Sequence, residues 1–226
     1  MKKQITRSII GLSIILLSSS SFANSFNQSA FFVKAHVSGN KFNNAKQYRG
    51  FTAKSQTSPS VALGLGYYMR DNFRTDLTFE YYINPTFKLS VKDHELSGSF
   101  KLKQNVELAT LMVNGNADII ELGASSIFLG AGVGVAKHKT KYHVTGISVE
   151  GDEFDQKYST KVSYNFAYSI GAGAAYSIFD GFNAELAYSW RGFGSTKPKK
   201  NSEGESITRK ISYRSHNVSL GLRIDI

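Results

Sequence analysis

Three groups of residues in this sequence are of types that carry chemistry in other proteins. Gly130-Ala-Gly132-Val-Gly134 is a glycine repeat of the kind that cradles phosphates. A dinucleotide loop needs a strand, a tight turn and then a helix. Here glycine falls on every second residue inside a strand-like run, so the repeat describes one bare face of a strand. Glu150, Asp152, Glu153 and Asp155 form an acidic run, but their spacing is not that of a calcium-binding loop. They suit a solvated or partner-facing loop. The five histidines (His36, His94, His138, His143 and His216) show no metal-ligand spacing, and there is no cysteine to complete a thiolate set. No local motif joins a nucleophile to a histidine and an acid. The expectation is a protein without catalytic residue, metal or cofactor.

A different set of charges needs explaining. Arg74, Asp76, Glu80, Glu185, Arg191, Arg223 and Asp225 stand inside runs that are otherwise alternately apolar. A carboxylate taken out of water without a partner costs roughly several kcal/mol, so such groups must be brought together by the elements that enclose them.

Those elements read as strands. Phe73 to Tyr82 puts Phe73, Thr75, Leu77, Phe79 and Tyr81 on one face and Arg74, Asp76, Thr78, Glu80 and Tyr82 on the other, a period of two. The pattern recurs over 30–38, 60–69, 127–138, 164–177, 182–191 and 215–226. A further run ends near Ala117, with its phase blurred above Ala109, as a bulge would produce. Eight strands result. The connections 39–59, 83–100, 143–158 and 194–210 are long and polar, 70–72 and 178–181 are short, and 118–126 is intermediate. Long loops at one end and short turns at the other mark an outer-membrane barrel.

The faces decide between a soluble and a membrane barrel. With the apolar side inward, the outside would carry Gly64, Gly66, Gly130, Gly132, Gly134, Gly171 and Gly173 and almost no charge, unlike a water-facing surface. A narrow eight-stranded interior would also be overfilled. With the apolar side outward, Leu, Val, Phe and Tyr meet lipid. Arg74, Asp76, Glu80, Glu185 and Arg223 then form a lumen charge network, with Glu185 and Arg223 paired. Phe73, Phe182, Tyr81, Tyr188 and Trp190 fall where aromatic belts lie. The fold expected is all-β, an eight-stranded antiparallel up-and-down transmembrane barrel of outer-membrane type. No apolar stretch reaches the roughly 20 residues of a spanning helix.

Lys2, Lys3 and Arg7, the apolar run Ile9 to Leu17 and Ser21-Phe22-Ala23 predict a signal peptide over residues 1–23. The barrel domain is then 24–226. Removing the leader lowers the formal net charge from +10 to +7. Lys41, Lys46, Arg49, Lys54, Lys197, Lys199 and Lys200 lie in the first and fourth long loops. They are the candidate partner-binding residues, suited to acidic protein patches, sulfated glycans or lipid phosphates. Nucleic acid is not an expected partner of a surface that faces out of the cell.

The segments Gly64–Thr78, Phe128–Ala136, Asn165–Tyr168, Ala184–Arg191 and His216–Asp225 resemble the small rickettsial outer-membrane adhesins, within a wider group of opacity-protein-like surface antigens. The resemblance implies an adhesin that binds a host extracellular protein, vitronectin, through its loops and so aids attachment and serum resistance. It implies long loops outside the cell, termini in the periplasm, contact with outer-membrane lipid and a monomer. An envelope-stability barrel without a host ligand, or a small channel, are the competing readings.

Overall fold

The computed structural model describes residues 30–43, 45–46, 52–55, 57–92, 99–147, 153–159, 161–195 and 212–226. The expected signal peptide lies outside them. The strands, in chain order, are β1 (Phe31–Phe42), β2 (Ala45–Lys46), β3 (Thr52–Ser55), β4 (Thr57–Arg70), β5 (Phe73–Tyr82), β6 (Thr86–Lys92), β7 (Ser99–Leu122), β8 (Ser125–Ile147), β9 (Glu153–Ser159), β10 (Ser163–Phe179), β11 (Phe182–Ser195) and β12 (Ser212–Asp225).

Eight of them close into an antiparallel ring in the order β1-β4-β5-β7-β8-β10-β11-β12, with β12 returning to β1. Closure leaves no unpaired edge in the ring, which a bilayer demands of any β structure. Period-two alternation sets the faces. Leu63, Leu77 and Leu220 are 52%, 49% and 60% exposed, whereas Arg74, Asp76, Thr78 and Glu80 are buried. The apolar face therefore looks outward, as the residue pattern requires.

Three tight turns join strands at one end. Asp71-Asn72 links β4 to β5, Gly123-Ala124 links β7 to β8, and Asp180-Gly181 links β10 to β11. Gly123 and Gly181 take φ of 60° and 73°, where a β-carbon would be strained. The connection expected over 118–126 is thus shorter than its polarity implies. β7 continues to Leu122, with its register shift between Asp118 and Ile120. Above Ala109, where the blurred phase predicts a bulge, the β7–β8 pairing is unbroken to Ser99↔Ile147.

At the other end the described parts of the segments expected as loops over 39–59, 83–100 and 143–158 are largely strand, and the segment 194–210 lies outside the described residues beyond Ser195. β7 and β8 run past the ring as one hairpin. β6 takes over beside β7 where β5 stops, and β9 takes over beside β8 where β10 begins. The kink from β5 to β6 falls at Asn84, with φ 48°, followed by Pro85. Together β2-β3-β6-β7-β8-β9 form a raised sheet above the barrel.

The physical reason for both departures is an inversion of polarity. Within the band the apolar side chains face out. Above it Val106 and Leu108 are buried inside while Lys103 and Glu107 are exposed outside. A strand leaving hydrocarbon for water must exchange its faces, and the exchange reads as a loss of phase.

Candidate functional site

The lumen below the raised sheet holds two cross-braced ionic layers. Ring order places β5 and β11 on opposite walls. In the layer nearer the turns, Arg74 Nη2 of β5 reaches Glu185 Oε1 of β11 at 3.4 Å, and Arg74 also pairs with Asp118. Arg223 Nη1 lies 3.1 Å from the same Glu185 oxygen. Arg223 stacks over the Phe32 and Tyr68 rings, and Arg74 over Phe128. Tyr68 donates to Asp225 at 2.8 Å.

In the second layer, Arg191 of β11 pairs with Glu80 of β5 and donates to the Tyr82 hydroxyl at 2.9 Å. Ser60 donates to Glu80 at 2.6 Å, and His36 Nε2 stands 3.8 Å from it. Between the layers, Lys34 Nζ is 2.7 Å from Asp76, which also accepts from Thr78, Asn114 and Asn116. All five network residues named from the sequence face the lumen. Lys34 and Asp118 join them from the lumen faces of β1 and β7, two charges that the sequence pattern marks only by the phase of their strands. A cavity of about 110 Å³ remains, bordered by His36, Glu80, Asn114, Glu185 and Arg191.

Glycines leave room for these groups and for rings. A β-carbon on Gly66 would fall 2.0 Å from the Phe32 ring, and one on Gly173 would fall 2.4 Å from Phe128. Lumen-facing aromatics therefore fill space that the glycine pattern alone reads as empty.

Above the ionic layers the lumen ends in an apolar plug. Phe42, Tyr82, Phe87, Leu108, Phe193 and Tyr213 are buried together, with Phe42 and Tyr82 edge-on and Tyr82 centred 5.3 Å from Phe193. Gln104 donates to the Tyr213 hydroxyl at 2.6 Å. His138 lies above the last lipid-facing residue of β8, Val135. It stacks on Tyr213 at 5.5 Å, and its Nε2 is 2.8 Å from the Phe193 carbonyl. Burial pushes the His138 imidazole below its ordinary value, against the opposing hydrogen bond to that carbonyl.

The basic residues predicted for the loops divide. Lys41 is exposed on β1, opposite Thr57 and His216. Lys46 and Lys54 fall on the backbones of β2 and β3. Arg49, Lys197, Lys199 and Lys200 lie outside the described residues, so no single site is assembled from the set.

The described strands add other cations at this end. Lys103, Lys137, Lys141, Lys157 and Arg214 are exposed. Arg214 lies 5.7 Å over Trp190, and Tyr188 meets His216 Nδ1 at 2.7 Å. Lys141 donates to Glu107 at 2.5 Å. That hydrogen bond holds the Glu107 carboxyl below its usual range, with Lys139 and Lys137 adding attraction. The signal for Lys137, Lys139 and Lys141 was present in the sequence as the outward phase of β8 carried past Val135. Among the described residues, no group of three His, Asp or Glu side chains is placed to hold a metal.

No protein-family model matches the chain. A protein of Rickettsia bellii described as "Putative adhesin" is 34% identical over 217 residues, covering 94% of each chain. A Rickettsia conorii protein with that description is 36% identical over 189 residues, covering 82% of this chain and 73% of its own. Among solved structures, the outer-membrane protein OprG of Pseudomonas aeruginosa aligns with a TM-score of 0.50 at 14% identity, covering 88% of this chain and 98% of that one. Neisserial surface protein A aligns at 0.46 and 16%, covering 89% and 100%.

Proposed function

We propose, from the premise that this chain belongs to the rickettsial family of small outer-membrane adhesins, that it binds a host extracellular protein at the raised-sheet end of its barrel. The observation that carries this reading is the asymmetry of the molecule. One end closes in three two-residue turns, and the other lifts the strands β2, β3, β6, β7, β8 and β9 clear of the ring. A rigid barrel supporting a long hairpin presents a partner-sized surface at that end alone.

In this reading the raised end faces out of the cell and the termini face the periplasm. Residues 1–23 are removed on export. The barrel acts as a monomer, its closed ring offering no strand edge at membrane depth. The cations Lys41, Lys46, Arg49, Lys54, Lys197, Lys199 and Lys200 supply attraction to an acidic host surface. Vitronectin is the ligand suggested by the family resemblance, with attachment and serum resistance as the result. No catalytic step is involved.

The test is capture from serum by refolded barrel, beside a variant with the segments 45–55, 93–98, 148–160 and 196–211 replaced by short turns. Loss of vitronectin capture by a variant that still folds supports the reading. Equal capture by both removes it.

The bracing of β5 to β11 favours a second reading, a barrel retained for envelope strength. A deletion strain that leaks periplasmic contents yet attaches to host cells normally would favour that role.

A further inference from the structure

We propose that the outward face of the β7–β8 hairpin, immediately above the apolar band, is a binding site for lipid phosphate, with Lys137 and Lys139 as its ligands. It is independent of any host ligand and rests on the proposed orientation, in which the raised end of the barrel faces out of the cell.

The first argument is height. On β8 the outward residues are Ile127, Leu129, Ala131, Val133 and Val135, and then the series changes to Lys137, Lys139 and Lys141. From Ile127 to Lys137 is about 33 Å along an extended strand. A strand tilt of roughly 40° reduces this to about 25 Å, the height of the apolar band of such barrels. Lys137 therefore stands where hydrocarbon gives way to headgroups. A lysine stem can lie on the apolar surface while its ammonium reaches the phosphate plane.

The second argument is the surroundings. Lys137 is paired in register with Tyr164 of β10, which is 67% exposed, and Phe166 lies below it at 64%. These are rings of the boundary region. Successive outward lysines are about 7 Å apart along the strand, so Lys137 and Lys139 can share one phosphate.

The third argument is charge. Lys141 is engaged by Glu107. Among the described residues no carboxylate pairs with Lys137 or Lys139, although Glu107 stands in register with Lys139. Glu107 thus sets the upper limit of the site. Glu107 stands beside Lys139, so its negative charge confines an incoming phosphate to the Lys137 side of the pair. The occupant that fits is the phosphate of an anionic outer-leaflet lipid, held from the side.

A fluorescent reporter reads this locally. Tyr164→Trp in a Trp190→Phe background places one indole beside Lys137. The barrel is folded into phosphatidylcholine vesicles containing a minor fraction of lipid with brominated chains, either phosphatidic acid or phosphatidylcholine. Brominated phosphatidic acid should quench on the order of three-fold more strongly than brominated phosphatidylcholine at equal fraction, given the attraction of a basic side chain at an anionic surface. Lys137→Gln with Lys139→Gln should remove the excess, and the matching Arg pair should keep it. Glu107→Gln should increase it. Equal quenching by the two lipids overturns the proposal, and this comparison needs no lysine variant to fold. An excess that survives the Gln pair also overturns it. So does an excess that soluble heparin abolishes, which would assign the lysines to a soluble polyanion.

Discussion

Glu80 shows what a single charge does in this lumen. Its side chain is 4% exposed and faces Arg191, Ser60 and His36. Removing the guanidinium leaves a buried carboxylate without its main counter-charge, which costs about 3–5 kcal/mol. Arg191→Ala should lower the urea midpoint of unfolding from vesicles accordingly, and adding Glu80→Gln should restore much of the loss. If the double variant is no more stable than the single, the two side chains are not coupled. His138 is the second case. Its folded-state pKa lies below that of the unfolded chain, so the unfolded state binds the extra proton. The stability contributed by the neutral ring is complete above the ordinary value of about 6.5 and is lost as pH falls below it. Unfolding measured between about pH 7.5 and 5.5 should show this loss. His138→Gln keeps a donor for the Phe193 carbonyl and should flatten that part of the curve.

The β7–β8 hairpin shows how far elements were legible. Within the band, alternation located every strand of the ring, because lipid outside and a narrow lumen inside impose one polarity per face. The same rule puts Glu185 and Arg223 on one lumen face, where they meet diagonally across β11 and β12, Arg223 standing opposite Asn183. The rule stops at the water boundary. Read with apolar meaning outward, Val106 and Leu108 are out of phase, which reads as a strand end or a bulge. Read with the inversion, Lys103, Asn105 and Glu107 continue the outward face of Val113, Leu111 and Ala109. The plug was hidden for the same reason, since Phe42, Phe193 and Tyr213 come from ring strands and Phe87 from β6 of the raised sheet, and only the strand order brings them together. Cysteine scanning in intact vesicles checks the inversion. A membrane-impermeant maleimide should label Lys103→Cys and Glu107→Cys readily and leave Val106→Cys and Leu108→Cys unlabelled. Equal labelling at all four positions would mean that the hairpin above the ring has no inside.

At the scale of the whole molecule, an eight-stranded ring is narrow enough for side chains to fill, and here two unlike barriers fill it in series. Nearer the turns, Arg74, Glu185 and Arg223 bridge opposite walls with aromatic rings packed on the cations. Nearer the raised sheet, Phe42 and Phe193 close the mouth together with Tyr82, whose ring joins them while its hydroxyl accepts from Arg191. An ion crossing the lumen would have to displace fixed counter-charges at one level and shed its water against hydrocarbon at the other. The layer of Arg74, Glu185 and Arg223 shares no residue with the plug, so each of these two should hold when the other is removed, while the Arg191–Glu80 layer joins the plug through the Tyr82 hydroxyl. Purified barrel in planar bilayers is therefore expected to pass no steady current. Arg74→Ala alone should leave the plug intact and the current absent. Phe42→Ser with Phe193→Ser should wet the mouth, yet the ionic layer should still block passage. Because the Arg191–Glu80 layer stays in place, resolvable conductance steps should need Arg191→Ala with Glu80→Gln added to those three substitutions. A steady current through the unmodified protein, or through either partial variant, would show that the lumen is an open path and that the cations and rings line a pore.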